Sequence, residues 1–479
     1  MSPQEPTVGP VFWLEQALAE DQGAACPPLA GTVRADVCIV GGGFLGLWTA
    51  LEITEQAPDA SVVLLDAEGC GFGASGRNGG WATSWHDELD ALLARFGAEQ
   101  ATWLAEQSTA AIDRIEALCA QEGIDCHLRR AGSLWTATAP AQLGAFDGPM
   151  RAARAIGRER FLEPMEAGEL RARTGSPLIV GGVRVTDSAA IQPALLARGL
   201  RRVALRRGVR IFEGTRMIGL GRGAPAVVTT SAGRVEAGRV VLALGAWASQ
   251  LRELRRAVVP VGSHIVLTEP IPERLEELGW TGGELLSDAR LLVHYAQVTR
   301  DGRIAFGRGG GAIGSFGRVL PGHFVDPATV GVVAGDLRRW FPQLADVALT
   351  HAWGGAVDRA PGHLPFAGTL GDHDTVHYAT GFSGNGVAPS AFLARILGRR
   401  ALGMADAFTD NALTHGPPSY LPPEPARILG GVVVRDAVRR AEAAEERGEA
   451  PGRITEALRK LVWFTTPRAL EPRLWGRRR

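Results

Sequence analysis

Residues 35–68 read ADVCIVGGGFLGLWTALEITEQAPDASVVLLDAE, and no other stretch limits the fold as strongly. VCIV is short, apolar and rich in β-branched residues, as a strand buried on both faces must be. Gly41, Gly43 and Gly46 follow it in GxGxxG spacing. LWTALEITEQ predicts a helix with Leu47, Ala50, Leu51 and Thr54 on one face. SVVLLD predicts the next strand, and Asp66 ends it twenty residues after Gly46.

Each part answers to a physical need. Gly41 permits the tight turn, Gly43 lets a pyrophosphate approach the backbone, and Gly46 lets helix and strand pack closely. The helix opening at Phe44 and Leu45 aims its free N–H groups and dipole at phosphate. Asp66 can accept hydrogen bonds from ribose hydroxyls. Ala67 and Glu68 follow with no arginine to receive a 2′-phosphate, which disfavours NADP. A tight βα turn without a ligand is the plainer alternative, but strand, helix and acid together argue for a dinucleotide site. These residues leave FAD and NAD both open.

The rest of the composition narrows the classes. Lysine plus arginine and aspartate plus glutamate each number 51, so no net charge drives binding to nucleic acid. Five cysteines, none in CxxC spacing, suggest neither a disulfide framework nor a zinc site, and no metal is expected. No secretory leader and no long apolar run is visible, so a cytoplasmic protein without a transmembrane segment is expected. The only lysine is Lys460, which excludes a lysine Schiff base in any site built from earlier residues.

A second glycine loop, GFGASGRNGG at residues 71–80, follows closely. Further on lie VVLALGAW (240–247), VPVGSHIVLTEP (259–270), WGGAVDRAPGHLPFAG (353–368) and HYATGFSGNGVAPS (377–390). In this order, over residues from about 10 to 410, the chain resembles the FAD-dependent D-amino-acid oxidase-like superfamily. Its loop GASGRNGG is most similar to the gamma-glutamylputrescine oxidase-like branch. The resemblance implies an α/β fold: a Rossmann-type, glutathione reductase-like FAD-binding domain interleaved with an antiparallel-sheet substrate domain. The FAD domain is expected at 30–90, 180–250 and 350–410, the substrate domain at 91–179 and 251–349, and a helical C-terminal extension at 411–479.

FAD contacts implied by the resemblance fall on the fingerprint (Gly41, Gly43, Phe44, Leu45, Gly46, Asp66, Ala67), and on Gly73, Ala74, Ser75, Arg77, Asn78, Gly79 and Gly80 of the second loop. They continue at Ala243, Gly245 and Trp247, then at Gly381, Gly384, Asn385, Gly386 and Val387, where a strand, a glycine turn and a helix repeat the ligand-facing geometry. Arg77 is expected to bind cofactor or fix the loop before it binds substrate. Non-covalent attachment is implied, since the second loop has no histidine and no cysteine follows Cys126.

The implied chemistry is removal of a hydride equivalent from a carbon bonded to nitrogen, with flavin N5 as acceptor. The imine formed then hydrolyses to a carbonyl compound. His264, His294 and Tyr295 are the candidate catalytic residues, the histidines because no lysine is present to promote oxygen reduction. Trp81, His86, Gln297 and Asp358 are the substrate candidates, with Trp85 also near the pocket. Gln297 stands where the family carries a carboxylate-binding arginine. That shifts the expected substrate toward an amine or modified amino compound, unless Arg290, Arg303 or Arg308 restores the anion site. Dioxygen or another acceptor re-oxidises FAD. Alternatives on the same fold are a tailoring monooxygenase or decarboxylating oxidase, and a non-catalytic electron-transfer subunit.

Two helices are predicted with particular clarity. One spans 98–124, with Leu104, Ser108, Ala111, Ile115 and Leu118 in a stripe. The other lies in the tail, after the proline-rich PPSYLPPEP, with Ile454, Leu458, Leu461 and Val462 on one face. Glu445, Glu446, Glu449 and Glu456 argue against a membrane anchor, so the tail is expected to dock on the body or on a second subunit.

Overall fold

The computed structural model describes residues 6–21, 23 and 25–461. At its centre is the strand Gly31–Val40, hydrogen-bonded in parallel to Val62–Leu65 on one side and to Gly233–Leu242 on the other. Arg210–Phe212 and Val376–Thr380 continue the parallel order outward. The central strand ends with side chains alternating between two cores. Val37 and Ile39 enter one, Cys38 and Val40 the other, and none is more than 4% exposed. That is why VCIV has no polar position.

The helices Phe44–Gln56, Pro193–Arg206 and Val387–Ala401 share the first of these cores and cover one face of the sheet. Glu52 is buried within it, its carboxylate 2.7 Å from the Arg114 guanidinium and 3.3 Å from that of Arg399. This buried charge is therefore paired, as burial demands. It ties the fingerprint helix to two others.

A second sheet stands over the first. From one edge to the other it runs Thr7–Val8, Leu349–Arg359, Val259–Thr268, Ile304–Arg308, His294–Val298, Leu285–Asp288, Ser133–Ala137, Gly181–Val185 and Leu162–Met165. It is largely antiparallel but not wholly so. Thr7–Val8 lies parallel to Leu349–Arg359, and Leu285–Asp288 parallel to Ser133–Ala137. Two boundaries also shift. Gly181–Val185 and Leu349–Arg359, expected in the FAD domain, belong to this upper sheet. The latter pairs along nearly its whole length with Val259–Thr268. Its last residues then deliver the chain to the interface between the sheets.

The helix expected over 98–124 begins earlier, at Leu89, and runs to Glu122 with a break at Gly97, whose φ is 76°. The expected stripe of Leu104, Ser108, Ala111, Ile115 and Leu118 is buried. Cys119 and Cys126, both buried thiols, place their Sγ atoms 3.6 Å apart.

The tail forms the helices Ala426–Glu446 and Arg453–Lys460. The first packs on the body, burying Ala437, Val438 and Ala441. The expected apolar stripe of the second is only partly covered: Ile454 is 79% exposed and Leu461, at the rim of the cavity between the sheets, 44%, while Leu458 is half-buried. Val462 and the terminal RLWGRRR lie outside the described residues. Among the described residues no helix is long and apolar enough to cross a membrane.

Candidate functional site

Between the sheets lies a cavity of about 1650 Å³. It exceeds the roughly 300–1,000 Å³ of an ordinary small-molecule pocket, and so has room for a dinucleotide and a substrate together. Its floor starts at the fingerprint. Gly41 has φ +111°, and a β-carbon there would stand 2.2 Å from the Ala243 carbonyl oxygen. A β-carbon at Gly46 would stand 1.8 Å from the Gly41 oxygen, so this glycine packs helix on turn and does not itself line the cavity. Gly41, Gly43, Phe44, Leu45, Asp66 and Ala67 do line it. Asp66 accepts from the Gly42 N–H at 2.7 Å and the Glu68 N–H at 2.9 Å. Burial raises its pKa and those two bonds oppose the rise. Its two oxygens keep lone pairs for further donors.

The second loop braces itself. Asn78 donates to the Ala74 and Ser75 carbonyls at 3.0 and 3.1 Å and accepts from the Gly80 N–H at 2.7 Å. Ser75 Oγ accepts from the Phe44 N–H at 2.8 Å, fastening the loop to the start of the fingerprint helix. Arg77 donates to the Phe72 carbonyl at 2.8 Å, and its guanidinium lies 4.6 Å from the Phe72 ring and 5.0 Å from that of Phe324. Burial lowers its pKa to about 10, which leaves it charged at neutral pH. Gly73, Ala74, Ser75, Arg77, Asn78 and Gly79 line the cavity, as do Ala243, Gly245 and Trp247. Gly80 sits behind, against Ile191 and Gln297.

The last motif closes the floor. Gly384, Asn385, Gly386 and Val387 line the cavity at the start of the helix Val387–Ala401. Gly381 lies just outside, where its N–H donates to Asp358 at 2.6 Å. Asp358, expected to meet substrate, also accepts from the Thr380 hydroxyl at 3.0 Å. It borders the cavity, but its carboxylate fastens this glycine turn to the upper sheet.

The upper wall sorts the remaining candidates by strand alternation. On His294–Val298, Tyr295 faces the cavity, its hydroxyl 2.8 Å from Ser263 Oγ. Its ring fills the space beside two glycines: a β-carbon at Gly79 or Gly307 would come within 2.8 Å or 2.3 Å of it. Burial pushes its pKa up to about 12, against the Ser263 hydrogen bond. Gln297 lies on the same face but beyond the loop, donating to the Gly79 carbonyl at 2.7 Å and the Ile191 carbonyl at 3.1 Å. It holds the glycine loop and does not line the cavity, a correction to its expected role.

The three histidines are corrected as well. His264 follows Ser263 on its strand and so points away from the cavity. It is fully buried against Gly262, Gly311 and Gly354, and burial lowers its pKa. His86 stacks on Phe161 at 3.7 Å and lies 3.0 Å from the Thr109 hydroxyl; burial drives its pKa down to about 4. His294 lies in an ion network under the upper sheet. Trp81 lines the cavity, whereas Trp85 is 2% exposed in the core. Arg303 and Arg308 are spent on Asp301 and Asp336, and Arg290 on Asp288 and Glu446. Sequence reasoning missed Arg359, which lines the cavity beside Asp358. Burial lowers its pKa to about 10, opposed by the charge of Glu88. The VDR tripeptide was its only signal.

The model of a family described as FAD dependent oxidoreductase, DAO, matches residues 36–400, well over half of the chain. The chain belongs to this family. Among its relatives, the gamma-glutamylputrescine oxidoreductase of Escherichia coli K12 is 29% identical over 396 residues, 82% of this chain and 89% of that protein. The probable oxidoreductase OrdL of Haemophilus influenzae is 27% identical over 392 residues, 80% of this chain and 87% of that one. The crystal structure of glycine oxidase from Geobacillus kaustophilus shares the fold, with a TM-score of 0.65 at 23% identity, covering 80% of this chain and 99% of that one.

The protein is thus an FAD-dependent oxidoreductase, and its own residues fit the cofactor. Bare backbone at Gly41 and Gly43, two helix N-termini and the Asp66 carboxylate border one continuous space of dinucleotide size. Gly46→Ala puts a methyl group on the Gly41 carbonyl. We expect it to purify with less than about a tenth of the wild-type FAD and to melt several degrees lower, the penalty of overpacking being about 1–3 kcal/mol. Flavin absorbance after gel filtration and a thermal melt check both.

His294 carries a second expectation. Its Nδ1 lies 2.6 Å from Asp288 and its Nε2 2.9 Å from Asp336, which also pairs with Arg308 and Arg339. Burial alone would lower its pKa; the two carboxylates outweigh burial and raise it. A histidine raised on folding adds stability that is complete below its unfolded pKa, about 6.5, and is lost as pH climbs through the folded value. Melting temperature should therefore fall as pH rises above about 6.5, and His294→Gln should flatten that fall.

Proposed function

We propose that this protein oxidises an amine or amino compound at the carbon bonded to nitrogen. FAD, when bound, accepts the hydride equivalent, and the resulting imine hydrolyses in water. Among the residues lining the cavity, Gly41, Gly43, Asp66, Ser75, Arg77, Asn78, Gly245 and Asn385 would hold the cofactor. Trp81, Tyr295, Ser263 and Arg359 would face the substrate.

One observation carries this reading. The upper wall opposite the second glycine loop offers a neutral hydroxyl pair, Tyr295 and Ser263, at 2.8 Å. With its pKa near 12, Tyr295 stays protonated at neutral pH and cannot act as a base. His264 and His294, expected to supply the charge that an absent lysine would bring to oxygen reduction, do not line the cavity. Such a wall orients a substrate and excludes water without drawing off a proton, which suits loss of hydride from a neutral amine. Arg359 supplies a positive charge for an anionic substituent and takes over from the absent arginine at position 297. The E. coli relative, named for a glutamylated amine, supports the same class of substrate.

The test is anaerobic bleaching of the flavin across a panel of amines and amino acids, followed by re-admission of air. At least one amine should bleach it, and labelled dioxygen should leave no label in the organic product. Label in the product, or no bleaching by any amine, would overturn the proposal. Tyr295→Phe should keep its FAD and lower the bleaching efficiency about ten-fold, the scale of one lost hydrogen bond.

A further inference from the structure

The matched family ends at residue 400, yet the cavity does not. Arg427, Gly430, Gly431, Val434, Arg435 and Val438 line it too, and all six come from the tail helix Ala426–Glu446. Their spacing places them on one helical stripe. Leu292, Ile313 and Leu320 line the same cavity, and with Val434 and Val438 they give this end of it an apolar surface between the charged Arg427 and Arg435.

The helix is fastened in place. Arg435 donates to the Gly311 carbonyl at 3.0 Å and Arg439 to the Gly310 carbonyl at 2.7 Å. Glu442 accepts from the Leu292 N–H at 3.1 Å, and Glu446 pairs with both Arg290 and Arg339. These contacts reach the loops at the ends of the Tyr295 strand and its neighbour, so the tail is docked against the substrate side of the enzyme.

Two adjacent glycines inside a helix weaken it. Gly431 has a packing reason, since a β-carbon there would stand 3.3 Å from Ile313 Cδ1. Gly430 has none: a β-carbon there would meet nothing within 4 Å. Gly430 is exposed where it borders the cavity, so its bare backbone lies at the cavity mouth.

We propose that this tail helix is the distal wall of the substrate cavity, and that Gly430, Val434 and Val438 set the size of the apolar substituent the enzyme accepts. The proposal rests on the amine-oxidation reading for the identity of the reacting end. The tail is then a specificity element added to the family's body.

The experiment uses the full-length holoenzyme and the series of n-alkylamines from ethylamine to dodecylamine. Binding is read from perturbation of the flavin spectrum and turnover from anaerobic bleaching. Val434→Phe and Gly430→Leu should shift the preferred length to shorter amines, raising the KM and apparent Kd for the longest about ten-fold with little change in the limiting rate. Val434→Ala should move the profile the opposite way, a reversal that mere loss of packing would not produce. Arg440→Ala, on the exposed face, controls for general disturbance of the helix. FAD content and melting temperature confirm that each variant is folded.

If amines bleach the flavin and the three length profiles coincide with wild type, the wall assignment is overturned and the oxidation reading stands. If neither these amines nor the panel of amines and amino acids bleaches it but the binding profiles still move in opposite directions, the oxidation reading is overturned and the wall stands. No bleaching by either set together with no length-dependent binding overturns both.

Discussion

The architecture depends on one contact between two pieces of bare backbone. Where a side chain at position 46 would begin, 1.8 Å away, lies the carbonyl oxygen of Gly41. No other residue fits, and the consequence spreads outward. The fingerprint helix sits low on its strand, with its N-terminus at the edge of the cavity. The Gly41 backbone also meets the Ala243 carbonyl, so the third segment of the floor is held by the same close approach. Ser75 then hooks the second glycine loop onto the Phe44 N–H. Three segments far apart in sequence thereby converge on the space for one cofactor.

The floor and the roof are coupled through residues that were expected to do chemistry. Gln297 grips the Gly79 carbonyl, Tyr295 packs against Gly79, and Asp358 holds the Gly381 turn. These side chains leave the upper sheet and end on glycine loops of the lower one. A polar side chain spent on a backbone carbonyl or N–H leaves little for a substrate. It keeps the loop in register instead, which the chemistry requires equally. Arg77 belongs here as well, charged but enclosed by Phe72, Phe324 and backbone.

Much of the lower half was legible from the sequence. GxGxxG, the acid at 66, the second loop and the closing strand–turn–helix are local signals, in which spacing alone dictates geometry. The long helix was legible because its buried stripe recurs at helical spacing, although its start at Leu89 was not. Less of the upper half could be read. His264 and Ser263 are neighbours, as are His294 and Tyr295, and in each pair only the second-named residue faces the cavity. A strand turns alternate side chains to opposite faces, and which set faces inward is decided by register with partner strands. The tail was legible as helices, but not as a wall of the cavity.

By itself, then, the sequence determined a dinucleotide site and the places where backbone must lie bare, because glycine spacing acts within a few residues, and its resemblance to a known family implied FAD. The tertiary structure alone decided which polar residues reach the cavity and which brace it. It also decided that residues beyond 425 border the same space as residues near 41. Those outcomes depend on strand register and on contacts between segments hundreds of residues apart, and no local pattern records them.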